Sequence, residues 1–250
     1  MNTAAKQLVA VVLLLGFWEA AVRLTGTAAH HYPVPSGIAL NMVRGFSSGD
    51  YAAALAFSLA RITAGFAIAA AAGIALGLLL ASSRSARELL APAALGVQSL
   101  PSICWLPLAV LWFGLSERAV LFVVVMGSLF SVALGVRDGL AQVPPIFRRV
   151  GQTFGLTHRQ LIVRILLPAA FPGILTGLKQ GFSFGWRSLM AGELVYGSTG
   201  LGRSLLIGRQ LSDVNQVCTV MVLILAIGVA VDRVGFGIIE KRVLARRGLA

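Results

Sequence analysis

Apolar runs long enough to cross a lipid bilayer recur along almost the whole chain, and no other feature limits its folding as strongly. By hydropathy they cover Leu8 to Leu24, Ala53 to Ala81, Ala93 to Phe113, Ala119 to Val136, the stretch beyond Pro168 to about Leu194, and Val217 to Val231. A helical span needs about 20 apolar residues, and in hydrocarbon only helices or closed barrels satisfy every backbone group. The chain has 250 residues, 57% of them hydrophobic and 12% charged, against about 25% charged in a soluble domain. No soluble domain of useful size fits between the runs. The expected fold is an all-α integral membrane protein of six transmembrane helices.

Twenty-one Lys and Arg stand against nine Asp and Glu, a net charge of +12. Nucleic acid is not the expected partner, because too little polar surface remains for a basic groove. The charge instead reads as a topology signal. With the N-terminus in the cytoplasm, the inside stretches hold thirteen cations (Lys6, Arg84, Arg87, Arg137, Arg148, Arg149, Arg159, Arg164, Arg233, Lys241, Arg242, Arg246 and Arg247). The outside stretches hold five, Arg23, Arg44, Arg118, Arg203 and Arg209, and Arg61, Lys179 and Arg187 remain in or near spans. Both termini are therefore expected inside, in a multi-pass membrane protein.

The first run fits either a spanning helix or a signal peptide cleaved near Thr25 to Ala29. Trp18, Glu19 and Arg23 interrupt it, which favours a retained helix. Residues 1–52 then form a first helix with its external linker, 53–240 the main membrane body, and 241–250 a basic cytoplasmic tail. Pro33, Pro35 and Ser36 predict a turn leading into a short helix. Ser82 to Pro92 reads as a loop, and so does the Gly- and Ser-rich stretch before Asn215. Pro101 and Pro107 break the third run, which a membrane tolerates only where neighbouring chain or water satisfies the freed carbonyls.

Enzymatic motifs are missing from the sequence. None of the three lysines, Lys6, Lys179 and Lys241, follows a glycine, so no Walker loop exists. Gly197, Gly200 and Gly202 lack Rossmann spacing. Cys104 and Cys218 sit among apolar neighbours, and His30 and His31 have no Cys, Asp or Glu nearby, so no metal site is expected. The chain is read as non-enzymatic.

The fifth run concentrates polar groups: Lys179, Gln180, Ser183, Trp186, Arg187, Ser188 and Glu193. An unpaired charge at a helix centre costs about 2.5 to 3.5 kcal/mol. Lys179, Ser183, Trp186 and Arg187 share an arc of roughly 100 degrees, one face with two cations, a hydroxyl and an indole. That face suits a path for an anion, with Glu193 at its far end. Structural pairing is the competing reading: Lys179 snorkels to an interface, Arg187 pairs with Glu193 or Glu19, and Glu19 pairs with Arg61. Two rows of small residues, Gly65, Ala69, Gly73, Gly77 and Ala81, and Gly173, Gly177, Gly181 and Gly185, predict close helix packing.

Between Gly139 and Pro168 lies a polar loop that cannot cross a bilayer. It holds Gly155-Leu156-Thr157 and, with nine residues between Gly155 and Ile165, Ile165-Leu166-Leu167-Pro168. This resembles the coupling loop of ABC importer permeases: Glu-Ala-Ala, three residues, Gly, nine residues, Ile-x-Leu-Pro. Arg149, Val150 and Gly151 stand where Glu-Ala-Ala would be. The Pro33-Val34-Pro35-Ser36 entry, the segment Ser58 to Phe66, the Pro101 and Pro107 span and Gly200-Leu201-Gly202 are similar to the aliphatic sulfonate, taurine and nitrate branch. The resemblance implies a type I importer transmembrane domain within 53–240, with its coupling loop at 139–168.

It further implies a homodimer of this chain and two ATP-binding subunits that hold ATP and Mg, with no cofactor on this chain. An external substrate-binding protein would deliver a small anion of the sulfonate, taurine, nitrate or bicarbonate class. Coupling would run through Arg149, Gly151, Phe154, Gly155, Leu156, Ile165, Leu167 and Pro168. Short helices from Pro145 and from Thr157 to Ile165 would form a knob whose Phe154, Leu156, Leu161 and Ile162 face water until a partner covers them. A stand-alone channel or secondary transporter is the alternative, and it predicts transport without ATP.

Overall fold

The computed structural model describes residues 3–24, 32–196 and 199–245. The possible cleavage stretch Thr25 to Ala29, His30, His31, and Arg246 and Arg247 of the basic tail lie outside them. The described chain is helical with no strand. In order, the helices are α1 (Thr3–Leu24), α2 (Pro35–Ser47), α3 (Asp50–Ser82), α4 (Arg84–Ser99), α5 (Leu106–Phe113), α6 (Glu117–Ala141), α7 (Pro145–Thr153), α8 (His158–Leu161), α9 (Leu167–Val195), α10 (Leu201–Gln210), α11 (Val214–Ala230) and α12 (Gly237–Ala245). A 3-10 turn (Ser102–Trp105) precedes α5. Wider π turns at Ile162–Leu166 and Val231–Phe236 join α8 to α9 and α11 to α12 without a break.

Among the described residues, four helical stretches are long and apolar enough to cross a membrane: Asp50–Ser82, Glu117–Ala141, Arg159–Val195 and Val214–Val243. The α4–α5 pair, bent by 97°, makes a fifth if taken as one span. Three expectations change. Ser82 to Pro92 is not a loop but the start of α4, where the Ser83 hydroxyl accepts from Ala86 N–H at 3.2 Å and Arg84 pairs with Glu88 one turn on. These polar residues are the signature of a capped helix start. The Gly- and Ser-rich stretch before Asn215 contains α10. The second loop helix does not stop at Ile165 but runs on through the π turn into α9, and the N–H that Pro168 lacks falls just after that turn, where the regular ladder is already interrupted.

The chain packs as two units. The first is Met1–Ser58 with Gly197–Ala226. Pro35 starts α2 as predicted, with Val34 extended before it. Val34 N–H donates to Asn215 Oδ1 at 3.1 Å, and the Thr219 hydroxyl donates to the Ile38 carbonyl at 3.1 Å, so α2 is stitched to α11. Leu201 N–H, at the start of α10, donates to Ser58 Oγ at 2.9 Å. The Glu19 carboxylate holds Arg23 at 2.6 Å and the Ser36 amide at 2.9 Å.

The second unit, Leu59–Tyr196 with Ile227–Ala250, is organised around α6. Gly65 meets Val124, Gly73 meets Val132 and Gly77 meets Val136, so α3 and α6 run parallel. Gly127 meets Ser188, Gly135 meets Gly177 and Gly139 meets Gly173, so α9 runs antiparallel to α6. A parallel α3 and α6 require the chain between them to return along the length of the unit, and only α4 and α5 lie there. The bent pair is thus one traverse. The last stretch runs back along α9, with Gly228 beside the Trp186 indole and Asp232 3.0 Å from Lys179.

Glycine makes these contacts possible. A Cβ on Gly177 would lie 2.7 Å from Gly135 Cα, and one on Gly173 2.6 Å from Gly139 Cα. On Gly73 and Gly77 it would meet the carbonyl oxygens of Leu129 and Ala133 at 2.7 and 2.5 Å. These obstacles are backbone, so helices must separate to admit a methyl group. In lipid, where apolar side chains gain nothing by association, that close fit is the attraction itself. Gly177→Ala should destabilise the protein by about 1–3 kcal/mol, as overpacking does. Gly96→Ala, with open space around it, should be neutral. Thermal unfolding in detergent compares them; equal losses would refute the packing account.

Candidate translocation path and coupling loop

Three cations lie within the spans of the second unit, and the structure treats each differently. Arg61 on α3 is buried. Its guanidinium donates to Glu117 Oε2 at 2.6 Å and Oε1 at 2.7 Å, and to Glu193 Oε1 at 2.8 Å. Glu117 opens α6 and Glu193 lies near the end of α9, so one side chain clasps three helices at one end of the unit. Glu193 is fully buried. Arg187 does not form the expected pair with Glu193, whose carboxylate holds Arg61 instead. Both carboxylates that serve Arg61 are remote in sequence, and nothing local announces them.

Lys179 pairs with Asp232 at 3.0 Å, both half exposed. Arg187 forms no ion pair among the described residues; its Nε donates to the Ser183 carbonyl at 3.3 Å and its guanidinium lies 4.9 Å from the Phe184 ring centroid. Ser183 is half-buried on the same helix. Trp186 is buried. The structure therefore separates the predicted path residues: Glu193 belongs to the Arg61 clasp, Lys179 faces Asp232, and Arg187 keeps its terminal nitrogens available.

At the opposite end, α7 and α8 form a compact knob. Pro145 starts α7, and Gly155 ends it with φ +66, which lets Leu156 N–H bond the Gly151 carbonyl at 3.1 Å. That is the left-handed turn for which glycine is the natural residue. Thr157 then opens α8 in a reciprocal cap: its N–H donates to Gln160 Oε1 at 3.0 Å and its hydroxyl accepts from Gln160 N–H at 3.4 Å. Gly151 is buried against Leu161 and Ile165, whose methyl groups occupy the space of its absent side chain.

Leu161 is buried, and Leu156 and Ile162 are half-buried. They hold the knob together and do not face water as expected. Phe154 does, at 78% exposed, and so do Ile146, Phe147 and Val150. The sequence reading passed over these last three, although the spacing of apolar residues in Pro145–Thr153 is that of a one-sided helix. Arg148, Arg149, Arg159 and Arg164 are exposed around them, Ile165 and Leu167 are half-buried, and Pro168 is exposed.

Residues 73–244 match the family of binding-protein-dependent transport system inner membrane components. The chain is 31% identical over 186 residues to a putative ABC transporter permease of Methanocaldococcus jannaschii, covering 74% of this chain and 69% of that protein. It is 31% identical over 176 residues to the nitrate import permease of a Synechocystis species, covering 70% and 64%. To the putative aliphatic sulfonates transport permease of Bacillus subtilis it is 27% identical over 227 residues, covering 91% and 82%. Among solved structures, an amino acid ABC transporter shares the fold, with TM-score 0.67, 18% identity and coverage of 81% of this chain and 97% of that one.

This chain belongs to the family of inner-membrane components of binding-protein-dependent transport systems. It is a multi-pass permease subunit, and the family's membrane subunit is not itself catalytic.

The clasp yields a prediction. Arg61→Met takes from the fully buried Glu193 carboxylate the guanidinium that pairs with it, which should cost about 3–5 kcal/mol. Adding Glu193→Gln should recover part of the loss, read as a rise in unfolding temperature over Arg61→Met alone. No recovery would show that Arg61 acts by packing and not by charge.

Proposed function

We propose that this chain is the translocating subunit of an ATP-driven importer for a small anion of the sulfonate, taurine, nitrate or bicarbonate class. The observation that carries the coupling is the α7–α8 knob: an exposed apolar face of Ile146, Phe147, Val150 and Phe154 ringed by arginines. Such a face on an otherwise polar loop marks a protein interface. Two ATP-binding subunits, holding ATP and Mg, dock there, and ATP draws the knobs of two permease copies together. Gly151, Gly155, Leu156, Ile165, Leu167 and Pro168 give the knob its shape, and Phe154 and Arg149 meet the partner.

In this reading residues 53–240 are the transporting body, 1–52 add a first helix and external linker, and 241–250 form a cytoplasmic tail. Six spans place both termini on the side of the knob. The thirteen cations counted to that side support it. An external binding protein delivers the cargo. The anionic character of the cargo is supported by Arg187, which lacks an ion-pair partner among the described residues, and by the nitrate and sulfonate permeases to which the chain is similar.

Gly155→Val tests the coupling. A β-branched residue at positive φ costs about 1–3 kcal/mol, enough to rebuild the turn without preventing membrane insertion. The variant should reach the membrane, recover less than about a tenth of the ATP-binding subunit on copurification, and lose binding-protein-stimulated ATP hydrolysis to a similar degree. Undiminished copurification and hydrolysis would refute the docking assignment. Transport by the chain without any ATPase would establish the stand-alone channel instead.

A further inference from the structure

A cavity of about 280 Å³ lies at the α4–α5 bend, walled by the bend itself, by Met126 and Gly127 of α6, and by Phe184 and Arg187 of α9. Its depth follows from helix rise. Gly127 is ten residues from the start of α6 and Arg187 eight from the end of α9, about 12 to 15 Å from the Arg61 end at 1.5 Å per residue. That is about half of a 30 Å hydrocarbon core. Irregular backbone at such depth is tolerated where it lines a cavity. The bend and the cavity therefore explain each other.

The chemistry of the wall is one-sided. Gln98, Ser99, Ser102 and Arg187 are its hydrogen-bonding side chains, and no Asp or Glu lines it. Ser99 spends its hydroxyl on the Gly96 carbonyl at 2.7 Å. Gln98 and Ser102 are half-buried and make no side-chain hydrogen bond among the described residues. Arg187, exposed on this chain, has only its Nε in a hydrogen bond, and its guanidinium lies over the Phe184 ring. Residues bearing a guanidinium, an amide and a hydroxyl thus line one space, together with the aromatic Phe184 and Trp105. Planar bidentate donors match an oxyanion. A single cation without a carboxylate balances one negative charge, and a dianion would retain an uncompensated charge in a medium where that is costly. The volume, below the usual range for drug-sized ligands, suits an ion of a few heavy atoms.

We propose that this cavity is a midplane binding site for a small monovalent oxyanion, held by Arg187, Gln98 and Ser102. It rests on the anion reading above and sharpens it, because Lys179, Ser183, Trp186 and Glu193 do not line the cavity, whereas Gln98 and Ser102 were not foreseen. The site selects monoanions over dianions.

Ser99→Cys supplies a reporter that removes none of the three donors. It is made in a Cys104→Ala, Cys218→Ala background, with the full chain in lipid nanodiscs. Methanethiosulfonate reagents bearing an ethylsulfonate or an ethyltrimethylammonium group are compared. The anionic reagent should react faster by about tenfold, the scale of field focusing in a charged cleft. Nitrate or methanesulfonate at millimolar concentration should slow it, and sulfate at the same ionic strength should not. Arg187→Gln should abolish both the preference and the protection, while Arg187→Lys keeps the preference.

Faster reaction of the cationic reagent, equal protection by sulfate, or an unchanged preference in Arg187→Gln would overturn the site. If Arg187→Gln does not yield monodisperse protein, sulfate against nitrate in the Arg187 chain still decides. No ATP enters this measurement. Its failure leaves the coupled-importer reading intact, and loss of ATPase docking leaves the site intact.

Discussion

The backbone contact between α6 and its neighbours is what the rest of the second unit depends on. Glycine meets glycine at two places between α6 and α9, and glycine meets a carbonyl oxygen at two places between α3 and α6. No side chain intervenes that rotates to take up slack, so relative height and rotation of the three helices are fixed together. This register brings Glu117 and Glu193 within reach of one guanidinium at one end, and it brings the end of α6 and the start of α9 side by side at the other. The α7–α8 knob connects those two ends. A force on the knob is applied to the two most closely packed helices of the unit.

That arrangement gives the knob an output. Aliphatic residues from α6, α8, the π turn and α9 (Val132, Val136, Leu140, Leu161, Leu166 and Ile174) form one continuous buried cluster, so the knob's inner side is part of the same core as the spans. Its outer side carries the exposed aromatic and aliphatic residues. The knob resembles a lever with an apolar grip, and the π turn at Ile162–Leu166, where α8 passes into α9, is the place where helix geometry departs from the regular ladder. Packed cores shift between discrete arrangements more readily than they deform, which suits a machine with two access states.

Much of this was legible in the sequence for a definite reason: the informative signals were local. Apolar run length located α3, α6, α9 and α11, Pro35 the start of α2, small-residue rows the seams with α6, and Gly155 the turn in the knob. Features that needed three dimensions were not legible. Hydropathy scored Arg84 to Glu88 as loop, although capping and an i,i+4 pair make them helix. It could not give a bend angle at Pro101, nor show that Gln98 and Arg187, 89 residues apart in the chain, look into one cavity. The partners of Arg61 lie on two other helices, 56 and 132 residues further along the chain, and Glu19 closes on Arg23 and Ser36.

The three cations in the spans show how charge divides between structure and use. Arg61 has two carboxylates and is sealed from solvent, an arrangement that resists any motion separating α3, α6 and α9 at that end. Lys179 has one carboxylate, both partners half exposed, and such a pair contributes little to stability. Arg187 has a carbonyl and an aromatic face but no carboxylate among the described residues, and its side chain is exposed on this chain. It lines a cavity with no acidic group on its wall, and under the proposal above the compensating charge is the bound anion. Binding and release of that charge are then coupled to the geometry of α4, α6 and α9, the helices that wall the cavity. Two of these, α6 and α9, are the helices to which the knob is joined.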